Sequence, residues 1–327
     1  MPIEGLTYPP EAPAPYLLDR HDGETQSMPG FKGVFQFYAT QKQTDNAISV
    51  FCWDGTLSDQ PLHSYKKTHD CFLVMEGRLK VYCGDSSRIL GPGDFATASP
   101  GANHKPTPLD PITKTIPLIH PADWFDNFDR EFNAKNTPPE IYHKYDSYPV
   151  EMELPEPSPW TEKDWVLPDG EEPYFLKYNR GPRWVLGGVH SRPFITTKQC
   201  SGKFFISCIE TSTAYGPSVF KQKLSFPVYD VLIFFDGKVD IAINDETEAT
   251  EVTPGEVVVI PKDVPFSLDF KTKYVRFYSY SSGDGLDALV NQAGLAIERV
   301  SISDEAHVVD QYKLKAVMAR LQIKVHD

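Results

Sequence analysis

From Phe31 onward the chain is written in short runs where apolar and polar positions partly alternate, separated by turn residues. GVFQFYAT (33–40) and NAISVFCW (46–53) are rich in β-branched and aromatic residues, which predicts strands. DGTLSDQP (54–61) predicts a loop, closed by a proline that cannot sit in mid-sheet. His63 and Tyr65 lie two apart, so on a strand both side chains leave the same face. KKTH (66–69) reads as a turn or bulge that leaves His69 exposed, and it resets the parity. DCFLVMEGRLKVYCG (70–84) then predicts two strands about a Glu76–Gly77 turn, with Asp70, Phe72 and Val74 on one face. RILGPGDFATASPGANH (88–104) predicts another pair about Gly91–Asp94, where proline second and glycine third suit a type II turn.

The period then changes. In DWFDNFDREF (123–132) Trp124, Phe125, Phe128 and Phe132 recur at helical spacing, either as a helix on the flank of a barrel or as a lid over its mouth. Residues 135–182 are dense in prolines and charges, and read as a connecting segment that buries Trp160, Trp165 and Tyr174. Strand text restarts in KFFISCIE (203–210), VYDVLIFFDGKVDIAI (228–243) and EVTPGEVVVIPKDVPFSL (251–268). YDVLIFFDGKVDI lies under HDCFLVMEGRLKV at an offset of 160 (237 − 77), and PGE lies under PGD at 162 (254 − 92). One whole β-domain is therefore repeated. The expected fold is all-β, with two barrel or jelly-roll domains and a few peripheral helices. The expected division is 1–150 for the N-terminal domain with the site, 151–182 for a Pro-rich linker, and 183–327 for a C-terminal domain without a metal site. Residues 1–30 form an extended arm anchored by Tyr16-Leu17-Leu18, and LDALVNQAG (286–294) and DEAHVVDQYKLKAVMARLQI (304–323) are helical.

Composition narrows the function. The 327 residues carry a net charge of −13, which repels a phosphate backbone, so nucleic acid is not an expected partner. No apolar run is long enough to span a bilayer, and the N-terminus has no signal-peptide pattern, so a cytoplasmic address without a membrane partner is expected. Five cysteines with no CxxC spacing predict reduced, buried thiols rather than a cysteine zinc site.

The repeat acts as an internal control on the polar groups of the first copy. Under His63, Tyr65, Asp70 and His104 the second copy places Lys223, Ser225, Asp230 and Phe266. The fold therefore does not demand the two histidines, which directs attention to chemistry in the N-terminal copy alone. For His63 and His104 the readings are a metal site, a metal-free polar pocket, or structural histidines. Asp70, matched by Asp230, is a site carboxylate or an aspartate that both copies need at a turn. Tyr65 is a site phenol or a buried aromatic. Phe72 and Val74 are core, and would add a flat apolar wall for an aromatic substrate.

These residues carry a resemblance. The run His63-x-Tyr65, Asp70, Gly77, Pro92-Gly93-Asp94, His104 resembles the cupin pattern of H-x-H, Glu, a glycine turn, a PGD turn and a final His. Over both halves the chain is similar to bicupins, most of all the fungal quercetin 2,3-dioxygenase group. Tyr65 stands where that pattern has its second histidine, and Asp70 where it has glutamate. Taking His69 as a ligand instead would recruit Glu76, which belongs to the turn and points outward. The resemblance implies His63, His104 and Asp70 as ligands of a divalent transition metal (Fe, Mn, Ni, Cu or Zn), since two imidazoles and a carboxylate suit first-row metals. Asp70 would ligate or take a substrate proton, and Tyr65 would orient the substrate. The implied activity is dioxygenase cleavage or oxidation of a phenolic, flavonol or aromatic polyketide-type substrate with dioxygen, in a chain that pairs as a homodimer. The alternatives are acid–base isomerisation, cyclisation, dehydration or decarboxylation with an altered or absent metal, and a non-catalytic small-molecule binder.

Overall fold

The computed structural model describes residues 3–27, 32–57, 61–124, 140, 144, 146–244, 248–302 and 305–326. The chain gathers into two compact units. The N-terminal unit is Glu24–Gly181 with Lys198–Ser201, and the C-terminal unit is Met1–Gly23, Pro182–Thr197 and Gly202–Asp327. The all-β expectation holds. The α-helices whose bounds lie within the described residues are Leu286–Ala293 and Gln311–Arg320. None is long and apolar enough to cross a membrane.

The N-terminal unit is built from two antiparallel sheets. One has seven strands in the order Tyr174–Leu176, Phe95–Ala98, His69–Glu76, Thr113–His120, Ser49–Gly55, Gly33–Ala39 and Glu24–Gln26. The other has five, in the order Ser147–Pro149, His63–Tyr65, Asn103–Pro108, Leu79–Cys83 and Ser86–Leu90. Strict alternation sets their faces. Asn103–Pro108 turns His104, Pro106 and Pro108 inward and leaves Asn103, Lys105 and Thr107 half-buried. The inward residues of both sheets, among them Phe35, Phe51, Phe72, Leu79, Val81 and Leu90, form one core. At the Pro92-Gly93-Asp94 turn Gly93 has φ +83°, as the third place of a type II turn requires, and a Cβ there would strike the Tyr178 ring.

The C-terminal unit repeats the plan. Asp230–Asp236 lies between Val257–Ile260 and Val275–Ser281, as His69–Glu76 lies between Phe95–Ala98 and Thr113–His120. Both central strands carry a bulge near the end of the ladder. The repeat also reaches segments that sequence matching left out. Tyr174–Leu176 pairs with Phe95–Ala98 in the N-terminal unit, and Tyr16–Leu18 pairs with Val257–Ile260 in the C-terminal unit. Tyr16 and Leu18 are fully buried, which is the anchoring expected of the arm.

Two sequence readings differ from what is observed. The stretch 151–182, read as a linker, is built into the N-terminal unit up to Gly181. Besides the strand Tyr174–Leu176, it contributes Asp164, whose carboxylate meets Arg88 at 3.2 Å with both side chains buried. Proline density marked an extended path but not its docking, since extended chain and edge strand share one backbone conformation. His69, read as exposed, is 1 % exposed, and its Nε2 lies 2.6 Å from Thr97 Oγ1. It is the first residue of a strand rather than the last of a turn. The helix expected over Trp124 to Phe132 lies outside the described residues apart from the 3-10 turn Ala122–Trp124. All five cysteines are free and buried, as expected.

Candidate metal and substrate site

His63 and His104 face each other because their strands are paired: His104 is the register partner of His63. Their ring centroids are 4.3 Å apart in an edge-to-face arrangement, and the Tyr65 ring lies 4.9 Å from the first and 5.0 Å from the second. Asp70 enters from the other sheet, at the start of His69–Glu76, and its Oδ2 lies 3.7 Å from His104 Nε2. Position 65 shares the inward face with position 63, as its parity predicted, while Ser64 is only half-buried. The structure thus brings His63, Tyr65, Asp70 and His104 together.

The tautomers follow from the backbone. His63 Nδ1 lies 3.0 Å from the Pro61 carbonyl oxygen, and His104 Nδ1 lies 3.1 Å from that of Ala102. A carbonyl oxygen only accepts, so each Nδ1 carries the proton and each Nε2 presents a lone pair. Burial lowers the His63 pKa to about 3, with help from His104, and lowers that of His104 to about 4. Burial also raises Asp70 to about 8. At neutral pH the contact between His104 and Asp70 is therefore no ion pair. An ionised Asp70 would set a carboxylate against an imidazole lone pair, two acceptors with nothing between them. His104 Nε2 and Asp70 Oδ1 are both buried without a hydrogen-bond partner among the described residues. Such an arrangement is relieved by a proton or by a cation.

A divalent metal is such a cation. The donor chemistry fits: two Nε2 lone pairs, each backed by an Nδ1–H bond to a carbonyl, the outer support that metal-bound imidazoles have, and one unpartnered carboxyl oxygen. Among the described residues no group of three or more His, Cys, Asp or Glu stands in a finished metal-holding arrangement. The site is thus a histidine pair with a carboxyl group beside it.

A cavity opens beside the cluster, lined by His63, Tyr65, Asp70, Phe72 and a ring of apolar residues that includes Phe35, Phe51 and Trp53. Phe72 is part of its wall, as expected. Val74, expected beside it, lies two residues further along in the core and is not part of the wall. The aromatic residues of Gly33–Ala39 and Ser49–Gly55 were missed as wall residues. Alternation marked them as inward-facing, but only closure of the two sheets brings them opposite His63.

Register also corrects the match between the copies. His63 pairs with His104 as Leu224 pairs with Phe266, so the counterpart of His63 is Leu224 rather than Lys223, and that of Tyr65 is Phe226 rather than Ser225. A slip of one residue in the connecting loop produced the error, and a one-residue slip exchanges the faces of a strand. The C-terminal barrel therefore holds Leu224, Phe226 and Phe266, all buried, where the N-terminal barrel holds His63, Tyr65 and His104. Asp70 and Asp230 do correspond, and neither stands at a turn. Asp230 accepts a hydrogen bond from Ser281, whereas the residue facing Asp70 is Ile119, which has none to give.

No family model matches the chain. The quercetin 2,3-dioxygenase of Bacillus subtilis (strain 168) is 22% identical over 288 residues, which span 82% of each chain. Among solved structures, an oxalate decarboxylase of Bacillus subtilis matches with TM-score 0.54 and 15% identity over 85% of this chain and 80% of that one. The oxalate decarboxylase of Lactobacillus farciminis, in a formate complex, matches with TM-score 0.55 and 14% identity over 85% and 88%.

Proposed function

We infer, for a chain with the duplicated fold of the bicupins in the cupin superfamily, that it is a metal-dependent dioxygenase of the quercetinase kind. Its substrate is a phenolic, flavonol or aromatic polyketide-type molecule, and dioxygen is the second reactant. The observation that carries this reading is the contact of His104 Nε2, which has no hydrogen-bond partner among the described residues, with Asp70 beside an aromatic-walled cavity, where the twin barrel holds apolar side chains at the histidine places.

His63 and His104 would hold a divalent metal through Nε2, with Asp70 as the third donor. When bound, such a metal supplies Lewis acidity toward a substrate hydroxyl and a place for dioxygen to react. The chain's own groups do the rest. Asp70, once ionised, accepts the proton of the substrate hydroxyl at a carboxyl oxygen. Tyr65, packed against both imidazoles, orients the substrate oxygen. Phe72 and the facing aromatic residues hold a flat ring and exclude water.

A second reading, non-oxidative acid–base chemistry such as decarboxylation, is favoured by the raised pKa of Asp70, which makes it a proton donor at neutral pH. Oxalate decarboxylase, whose Mn(II) centers are described for the Bacillus subtilis enzyme, shares the fold. Metal content with oxygen uptake separates the two. The dioxygenase reading predicts a metal stoichiometry near about one per chain and oxygen uptake with flavonols or related phenols. Less than about a tenth of an equivalent after reconstitution, or turnover without oxygen uptake, contradicts it.

A further inference from the structure

The cavity of the N-terminal unit has a second polar feature, four residues along Thr113–His120 from Ile119, which faces Asp70. Trp53 lines it, and the indole Nε1 of that residue is buried with no hydrogen-bond partner among the described residues. Directly across the ladder, the register partner of Trp53 is Thr115. Thr115 is fully buried and lies on the same face of its strand as the wall residues Pro117 and Ile119, and its hydroxyl is likewise unpartnered among the described residues. The indole is held in place. It stacks on Phe35 with centroids 6.0 Å apart and planes within 7°, and it crosses Gly55, where a Cβ would lie 2.9 Å from Cε2 and Cζ2.

The twin barrel again serves as the control. Ile119 faces Asp70 as Ser281 faces Asp230. Four residues back along each strand stand Thr115, paired with Trp53, and Phe277, paired with Ile209. Both C-terminal residues are apolar and fully buried. The fold therefore needs neither a donor nor a hydroxyl at these two places. A fixed donor buried without a partner costs stability unless a ligand satisfies it.

We propose that Trp53 is a specificity-determining residue, whose indole N–H selects flat aromatic molecules carrying a hydrogen-bond acceptor oxygen at the end remote from the hydroxyl that meets His63, Asp70 and His104. The inference rests on the reading of the histidine end as the reacting end. It is tested by binding alone, so that the two can fail separately: absence of metal or of oxygen uptake sinks the dioxygenase and leaves the selectivity measurable.

The probes are 2-naphthol, with a hydroxyl at one end only, and 6-acetyl-2-naphthol, which adds a carbonyl at the opposite end. Calorimetric titration of the purified protein is expected to give affinity at least about tenfold higher for the acetyl compound. Trp53→Phe keeps the ring and removes the donor, so the ratio is expected to fall to near one while 2-naphthol still binds. Independently of whether that variant folds, one of the five tryptophan indole N–H resonances of the wild-type protein should move downfield with the acetyl compound and not with 2-naphthol. Equal affinities in the wild type, an unchanged ratio in Trp53→Phe, no indole shift, or no binding of either probe at millimolar concentration overturns the proposal.

Discussion

Asp70 is the residue on which the chemistry turns. Burial raises its pKa to about 8, while both neighbouring imidazoles, at about 3 and 4, are neutral from mildly acidic pH upward. Of these three groups only Asp70 changes state across the neutral range. Its carboxylate, the form that ligates or accepts a proton, grows in as pH rises. We expect metal uptake by the metal-free protein to strengthen with pH toward the Asp70 value, and Asp70→Asn to lose that dependence and at least about a hundredfold in the rate of the loaded enzyme. A wild-type profile flat from pH 6 to 9 would contradict the assignment (a range set about the Asp70 value by linkage). That these residues would gather was legible in sequence, because a repeat that kept its turns and lost its histidines sets them apart from the scaffold. Their exact counterparts were not legible. The strand His63–Tyr65 has only three residues, too short a run to reveal a slip of one position.

At the scale of elements, the helix Leu286–Ala293 accounts for a difference between the walls of the two barrels. Its Asp287 is fully buried and accepts a hydrogen bond from Ser207, while Ser281 bonds Asp230 and lies 3.4 Å from Asp287. The N-terminal residues at the places of Ser207 and Ser281 are Phe51 and Ile119, which line the open cavity. One barrel thus has an apolar wall where the other has serines gripping a helix. The helix itself was legible from its spacing, but its role was not, because a single buried aspartate in its first turn looks like an ordinary helix-start residue. Burial raises Asp287 to about 8 and Asp230 to about 7, from an ordinary 3.8. The folded unit then holds protons that the unfolded chain has released. Stability contributed by this pair is complete below about pH 4 and is lost as pH rises through 7 and 8. Asp287→Asn, which keeps the serine bonds and removes one titration, should flatten that decline by about 1 kcal/mol or more between pH 5 and pH 8 in thermal or urea unfolding. An unchanged slope would mean that the carboxyls are ionised in the folded protein.

At the scale of the whole molecule, the two copies share a plan and differ in what fills it. Turn chemistry at Gly77, Gly93 and the PGD motif, together with strand alternation, made the duplication legible. Those signals are local and backbone-driven. Strands supplied from outside the repeat, Tyr16–Leu18 in one unit and Tyr174–Leu176 in the other, were hidden because three residues carry no period of their own. The cavity was hidden for a related reason: its aromatic wall is assembled from strands far apart in sequence. The central claim is that one barrel, and not its twin, holds a divalent metal between His63 and His104. Anomalous-difference maps from crystals grown with Mn(II) test it most directly. The account predicts one peak in the N-terminal barrel, within bonding distance of both Nε2 atoms, and none beside Leu224 and Phe266. A map with no peak between the two imidazoles, or with its peak in the C-terminal barrel, would contradict it.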